Sequence, residues 1–104
     1  MKKHSVFMTH TATEDLKRIA ATIANELQEL STAKKLVRNI KEAVLSLEQM
    51  PTRYSLLRDA NLAIQGIRKL IIDHYIVFYI VSEKVSSVTI IRILDCRRDW
   101  ANLL

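Results

Sequence analysis

Gly66-Ile67-Arg68-Lys69-Leu70-Ile71-Ile72-Asp73-His74-Tyr75-Ile76-Val77-Phe78-Tyr79-Ile80-Val81 and, after a Ser-Glu-Lys-Val-Ser-Ser break, Val88-Thr89-Ile90-Ile91-Arg92-Ile93-Leu94-Asp95-Cys96-Arg97-Arg98-Asp99-Trp100 decide the fold. Val, Ile, Phe and Tyr crowd into short runs separated by turn-forming residues, which is the pattern of strands joined in sequence. Three strands follow. A sheet with one wet face alternates apolar and polar residues, yet here Tyr75, Val77, Tyr79 and Val81 point one way and Ile76, Phe78 and Ile80 the other. Both faces need cover. The helices of a short chain can cover one, and the second is expected to call for another molecule.

Working outward, Ser5 to Met8 reads as an opening strand with Val6 and Met8 on one face. Thr11-Ala12-Thr13-Glu14 matches a capping box, in which a Thr hydroxyl takes one free helix N–H and the Glu reaches back to another. A helix is expected from there, with Leu16, Ile19, Ala20, Ile23, Leu27 and Leu30 along one stripe. Ser31-Thr32 offers two N-cap residues, and Leu36, Val37, Ile40, Val44 and Leu47 restart the helical period until Pro51 stops it. Two amphipathic helices so closely joined should form an antiparallel hairpin. Residues 52–62 are the least regular part, with Tyr54, Leu56 and Leu57 open to another strand or an ordered loop. Short links between the last three strands imply antiparallel pairing. The expected fold is therefore α+β, with an N-terminal strand and a two-helix hairpin packed on one face of a C-terminal antiparallel sheet.

The 104 residues suit one domain spanning 1–104. Half the chain is hydrophobic and a quarter charged, which argues against disorder. A single Cys96 leaves no internal disulfide and points to the cytoplasm. His4, Thr9, His10 and Thr11 interrupt any signal-peptide core, and no run approaches the ~20 apolar residues of a membrane span, so no membrane partner is expected. The formal net charge of +5, spread over both halves, suggests an acidic partner. Walker, Rossmann and Gly-x-Ser-x-Gly patterns are missing. The three histidines are not spaced as metal ligands, so neither metal nor cofactor is expected.

The order of strand, helical hairpin, Met-Pro stop and antiparallel strands resembles the RelE/ParE superfamily, the toxin half of bacterial type II toxin–antitoxin (plasmid stabilisation) modules. The pieces that carry the likeness are Ala12 through Ile23, Leu47-Glu48-Gln49-Met50-Pro51-Thr52-Arg53-Tyr54, Gly66-Ile67-Arg68-Lys69-Leu70, Tyr75-Ile76-Val77-Phe78-Tyr79 and Arg97-Arg98-Asp99-Trp100. The resemblance implies a growth-inhibiting toxin neutralised by a small acidic antitoxin, touching DNA only through that antitoxin. RelE-like members cut ribosome-bound mRNA without a metal, whereas ParE-like members poison DNA gyrase. Nucleases of this kind typically carry an Arg after the Tyr that opens the central strand, and here that residue is Ile76. A related branch ends in His-Tyr, and this chain ends in Trp100-Ala101-Asn102-Leu103-Leu104. Both departures favour the ParE-like, non-enzymatic branch. The alternatives are an mRNA endoribonuclease and, from another class, a non-toxic interaction module.

Particular residues follow from this. Cleavage of RNA needs proton movement and cations at the scissile phosphate, for which Arg68, Lys69, Arg97 and Arg98 with His74 or Tyr75 are the candidates. Target binding is expected at Arg68, Arg97, Arg98 and Trp100, because guanidinium groups fit phosphate and carboxylate alike and a large ring can anchor a partner. Against these stand plainer readings: an internal ion pair for Arg68 with Asp73 or Asp95, an edge-solubilising Lys69, solvated strand-end arginines, a core-closing Trp100, a turn for His74, and helix stripes that are core throughout. Phe78, Ile80 and Ile91 are the candidates for the antitoxin, on the sheet face that the helices leave bare; a homodimer could cover the same surface.

Overall fold

The structure is a computed structural model and describes residues 3–26, 28 and 30–104. The elements run β1 (Ser5–Met8), α1 (His10–Glu26), α2 (Leu30–Ser46), a 3-10 turn (Pro51–Arg53), α3 (Ala60–Ile64), β2 (Ile67–Ile72), β3 (Tyr75–Ser82), β4 (Ser87–Asp95) and a last 3-10 turn (Trp100–Asn102). The three C-terminal strands lie where their sequence places them, antiparallel through Arg68↔Tyr79 and Val77↔Ile93. The sheet is mixed, however. β1 joins its outer edge parallel to β4, from Ser5↔Ser87 to Met8↔Ile90, giving the order β1-β4-β3-β2. A parallel neighbour requires a long crossover, and the helical hairpin is part of it.

Helix boundaries differ from expectation in two places. The hydroxyl that caps α1 belongs to Thr9, which accepts the Ala12 amide at 3.1 Å, so the capping pair read at Thr11 and Glu14 lies inside the helix. The hairpin breaks before Leu30 rather than at Ser31-Thr32, with Gln28 in a left-handed conformation (φ 50). Leu27 lies outside the described residues. The indeterminate stretch contains α3, capped by Asp59 through the Leu62 amide at 3.1 Å, and a bridge from Leu56 to Arg68 on the β2 edge.

Each sheet face has its own core. On one, Leu16, Leu36, Ile40, Val44 and Leu47 of the hairpin side pack on Leu70, Val77, Tyr79, Val88, Ile90 and Ile93. On the other, Leu57, Leu62, Ile67, Ile76, Phe78 and Leu94 gather, with Ile80, Ile91, Trp100, Leu103 and Leu104 against them. The expectation that a second molecule must cover that face is therefore corrected: α3 and the C-terminal turn cover most of it. Phe78 and Tyr79 are both fully buried, each supplying ~1.5–3 kcal/mol of hydrophobic stabilisation. The buried Tyr79 hydroxyl donates to the Pro51 carbonyl at 2.7 Å, which ties the loop after α2 to the sheet. Burial pushes its pKa up to about 12.

One polar knot crosses the layers. β1 ends opposite Ile90, so beyond that point the β4 edge has no strand beside it. The buried Asp15 of α1 takes the strand's place: Oδ2 accepts the Ile93 amide at 3.0 Å. Arg92 grips the same carboxylate from Nε at 2.8 Å and Nη2 at 2.9 Å, and its Nη1 donates to the Leu103 carbonyl at 3.0 Å. Burial alone would raise the pKa of Asp15, but the Arg92 guanidinium, the Ile93 amide and Arg18 outweigh it and hold it below the usual carboxylate value.

Candidate functional site

The two-residue Asp73-His74 turn between β2 and β3 and the end of β4 bring His74, Tyr75, Arg97 and Arg98 to one end of the sheet. Tyr75 lies opposite Asp95, and the Cys96 amide donates to the His74 carbonyl at 2.8 Å. Arg97 folds back on Asp95, which accepts its Nε at 3.0 Å, its Nη2 at 2.6 Å and its backbone amide at 2.9 Å. These bonds from Arg97 hold the Asp95 carboxyl down to about 2 and raise the guanidinium in turn. The exposed Arg98 side chain forms no ion pair or hydrogen bond among the described residues and borders a depression with Arg18, Thr22 and Tyr75. Burial, reinforced by the charge of Asp95 and opposed by Arg97, raises the Tyr75 phenol above its ordinary value, so its hydroxyl stays protonated.

The other candidates are elsewhere. Arg68 faces the helix side opposite Tyr79, and Nη1 donates to the carbonyls of Tyr54 at 2.6 Å and Thr52 at 3.3 Å. It fastens a loop and pairs with neither Asp73 nor Asp95. Lys69 sits opposite Phe78 on the other face, so the four cations that phosphate cleavage would use do not converge. Trp100 closes the second core, its ring 5.3 Å from Phe78 at 39°. Phe78 has no exposed surface, while Ile80 and Ile91 are half-buried. The position that would carry a nuclease arginine, Ile76, is buried beside Phe78 and Leu94.

An apolar groove between the helices was not anticipated. Ala20, Ala21 and Ala24 of α1 face Leu30, Val37 and Leu45 of α2 across a groove of about 580 Å³ on the outer side of the hairpin. Leu30 and Leu45 are more than half exposed. Lys34, Arg38 and Lys41 border it, with Glu42 the one carboxylate among the described lining residues. The helix stripes are thus not core throughout. The signal in the sequence was the run of alanines, whose small side chains leave room between the helices.

The family described as ParE toxin of type II toxin-antitoxin system, parDE, matches residues 6–100. The chain belongs to the ParE toxin family. Among solved structures this ParE-family chain resembles one titled as the chromosomal ParDE toxin–antitoxin system from P. aeruginosa, at 23% identity over 91% of this chain and 98% of that one, with a TM-score of 0.73. The RelBE2 toxin–antitoxin complex from Mycobacterium tuberculosis follows at 20% identity, 89% and 98% coverage and a TM-score of 0.66. A double arginine mutant of the E. coli toxin RelE in the free state aligns at 12% identity over 97% of this chain and 92% of that one, TM-score 0.67. These likenesses establish a fold common to both branches of the superfamily. No curated protein sequence matches the ParE-family chain.

Proposed function

We propose that this ParE-family toxin inhibits growth by binding DNA gyrase, without catalysing a reaction, and that it is neutralised by an acidic antitoxin. The observation that carries the reading is Ile76, a buried aliphatic side chain where ribosome-dependent nucleases of the superfamily are expected to carry a phosphate-binding arginine. Arg68 and Arg97 support it further, because both are committed to internal acceptors. The contact with the target is assigned to the exposed Arg97-Arg98 end beside Trp100; Arg68 is taken up by the loop at Thr52 and Tyr54.

Purified toxin should block gyrase supercoiling in a dose-dependent way and leave ribosome-bound mRNA intact by primer extension. Full supercoiling at saturating toxin overturns the gyrase assignment. New codon-linked 5′ ends would instead establish the nuclease, and unaffected growth on induction would leave only an interaction module.

For the antitoxin, the hairpin groove replaces Phe78 as the anchoring surface. An amphipathic helix with an acidic flank would bury its apolar side on Val37 and Leu45 and meet Lys34, Arg38 and Lys41 at the rim. The half-exposed remainder of the sheet, Ile80 and Ile91, is left for an extended continuation of the same chain.

A further inference from the structure

We propose that the trough on either side of Tyr75 binds a free nucleotide. Two depressions share this residue as their common wall. The larger, about 550 Å³, lies between the hairpin and the β2–β3 turn, with Ile23 and Leu36 as apolar lining and Thr32, Lys35, Asn39 and His74 around them. Its volume falls within the ~300–1,000 Å³ usual for small-molecule sites. The smaller, about 160 Å³, opens on the far side of Tyr75 towards Arg18, Thr22 and Arg98.

The hydrogen-bonding inventory of the trough points to an anion. Five arginines, Arg18, Arg53, Arg68, Arg92 and Arg97, hold internal acceptors. Arg98 and Lys35 hold none with their side chains among the described residues, and neither do the Tyr75 hydroxyl, Thr22, Thr32 and Asn39. The carboxylates nearby are already matched, Asp15 by Arg92 and Arg18 and Asp95 by Arg97, which leaves Lys35 and Arg98 with Asp73 as the one unmatched carboxylate among the described lining residues. Unpaired guanidinium and ammonium groups on both sides of a neutral phenol donor are what a phosphate chain requires. The larger depression adds what inorganic phosphate would not use: an apolar lining for a base or sugar, with an amide and a hydroxyl to meet polar edges. The smaller has room for phosphate and little else. This site does not include the hairpin groove and does not depend on which target the toxin has.

Isothermal titration of the purified chain with ATP tests the assignment, with inorganic triphosphate, adenosine and a 5′-phosphorylated oligothymidylate as separate arms. ATP is expected to bind saturably at one site with a Kd below about 1 mM, more tightly than any other arm. Arg98→Gln and Lys35→Gln should each weaken it about tenfold, the loss of one charge-assisted bond. Tyr75→Phe, which removes only a hydroxyl and keeps the packing, should weaken it severalfold and keeps the test decisive where a charge change disturbs folding. Lys84→Gln, in the β3–β4 turn at the opposite end of the sheet, should change nothing. Absence of saturable ATP binding at several millimolar overturns the proposal. So does triphosphate binding as tightly as ATP, an oligonucleotide binding more tightly, or Lys84→Gln weakening ATP as much as Arg98→Gln. Gyrase inhibition is measured separately, so neither result stands in for the other.

Discussion

Asp15→Ala is the substitution with the largest expected effect among the polar residues. It strands the Arg92 guanidinium and leaves the Ile93 amide of β4 without its acceptor. Removing one partner of a buried ion pair costs about 3–5 kcal/mol. Arg92 keeps 19% of its side chain exposed and retains the Leu103 carbonyl, so water relieves part of that and the lower end applies. With the orphaned amide adding ~1 kcal/mol, the total is about 3–4 kcal/mol against a typical ~5–15 kcal/mol for a whole domain. At ~4–8 °C per kcal/mol for a domain of this size, Tm should fall by about 12–30 °C. Urea and thermal unfolding followed by far-UV circular dichroism measure both. The double change Asp15→Leu with Arg92→Leu should lose clearly less than the sum of the two singles, because it removes both charges together. A loss under ~1 kcal/mol for Asp15→Ala, or additive singles, would refute the argument that this knot joins helix, strand edge and C-terminal turn.

Three further outcomes are expected. Stability should decline as pH falls from 5 towards 2: Asp15 and Asp95 both have folded pKa values below their unfolded ones, so their contributions are complete above the unfolded value of about 4 and disappear on descent through the folded values. Urea midpoints across that range check it, and Asp15→Ala should show a shallower decline than the wild type. Leu45→Glu, on the exposed groove wall, should abolish co-purification with the antitoxin while leaving toxicity on induction intact; retained co-purification would exclude the groove. Gly66→Ala should cost ~1 kcal/mol by urea titration, because Gly66 has φ +79 while a Cβ there would meet nothing within 4 Å, so backbone strain acts alone.

The strands were legible because apolar density and turn residues are local signals, and the two-faced pattern from Tyr75 to Val81 showed that both faces need cover, although one core and an outside partner were expected where the chain builds two cores of its own. What fills the second core was not legible. Leu57 and Leu62 sit in a stretch without periodicity, and Leu103 and Leu104 are too few to form a pattern, yet together with Trp100 they cover Phe78. The parallel placement of β1 depends on pairing across more than eighty positions, for which four residues carry no mark. Nothing local marks Asp15, because its partner, Arg92, is seventy-seven positions away. At the candidate site the cations were found, but their assignments turned on geometry. Arg68 and Arg97 are taken up internally, and Arg98 is the one of the three whose side chain stays free.

The placement of β1 has a consequence for biosynthesis. β1 cannot be seated until β4 has been made, and the Asp15 carboxylate of α1 waits for the Arg92 guanidinium of β4. Contacts of such long sequence separation come late in folding. A nascent or prematurely terminated chain that stops before Ser87 therefore lacks the surface against which its opening segment docks, and it should be harmless and quickly degraded. Toxicity should therefore belong to the finished polypeptide alone.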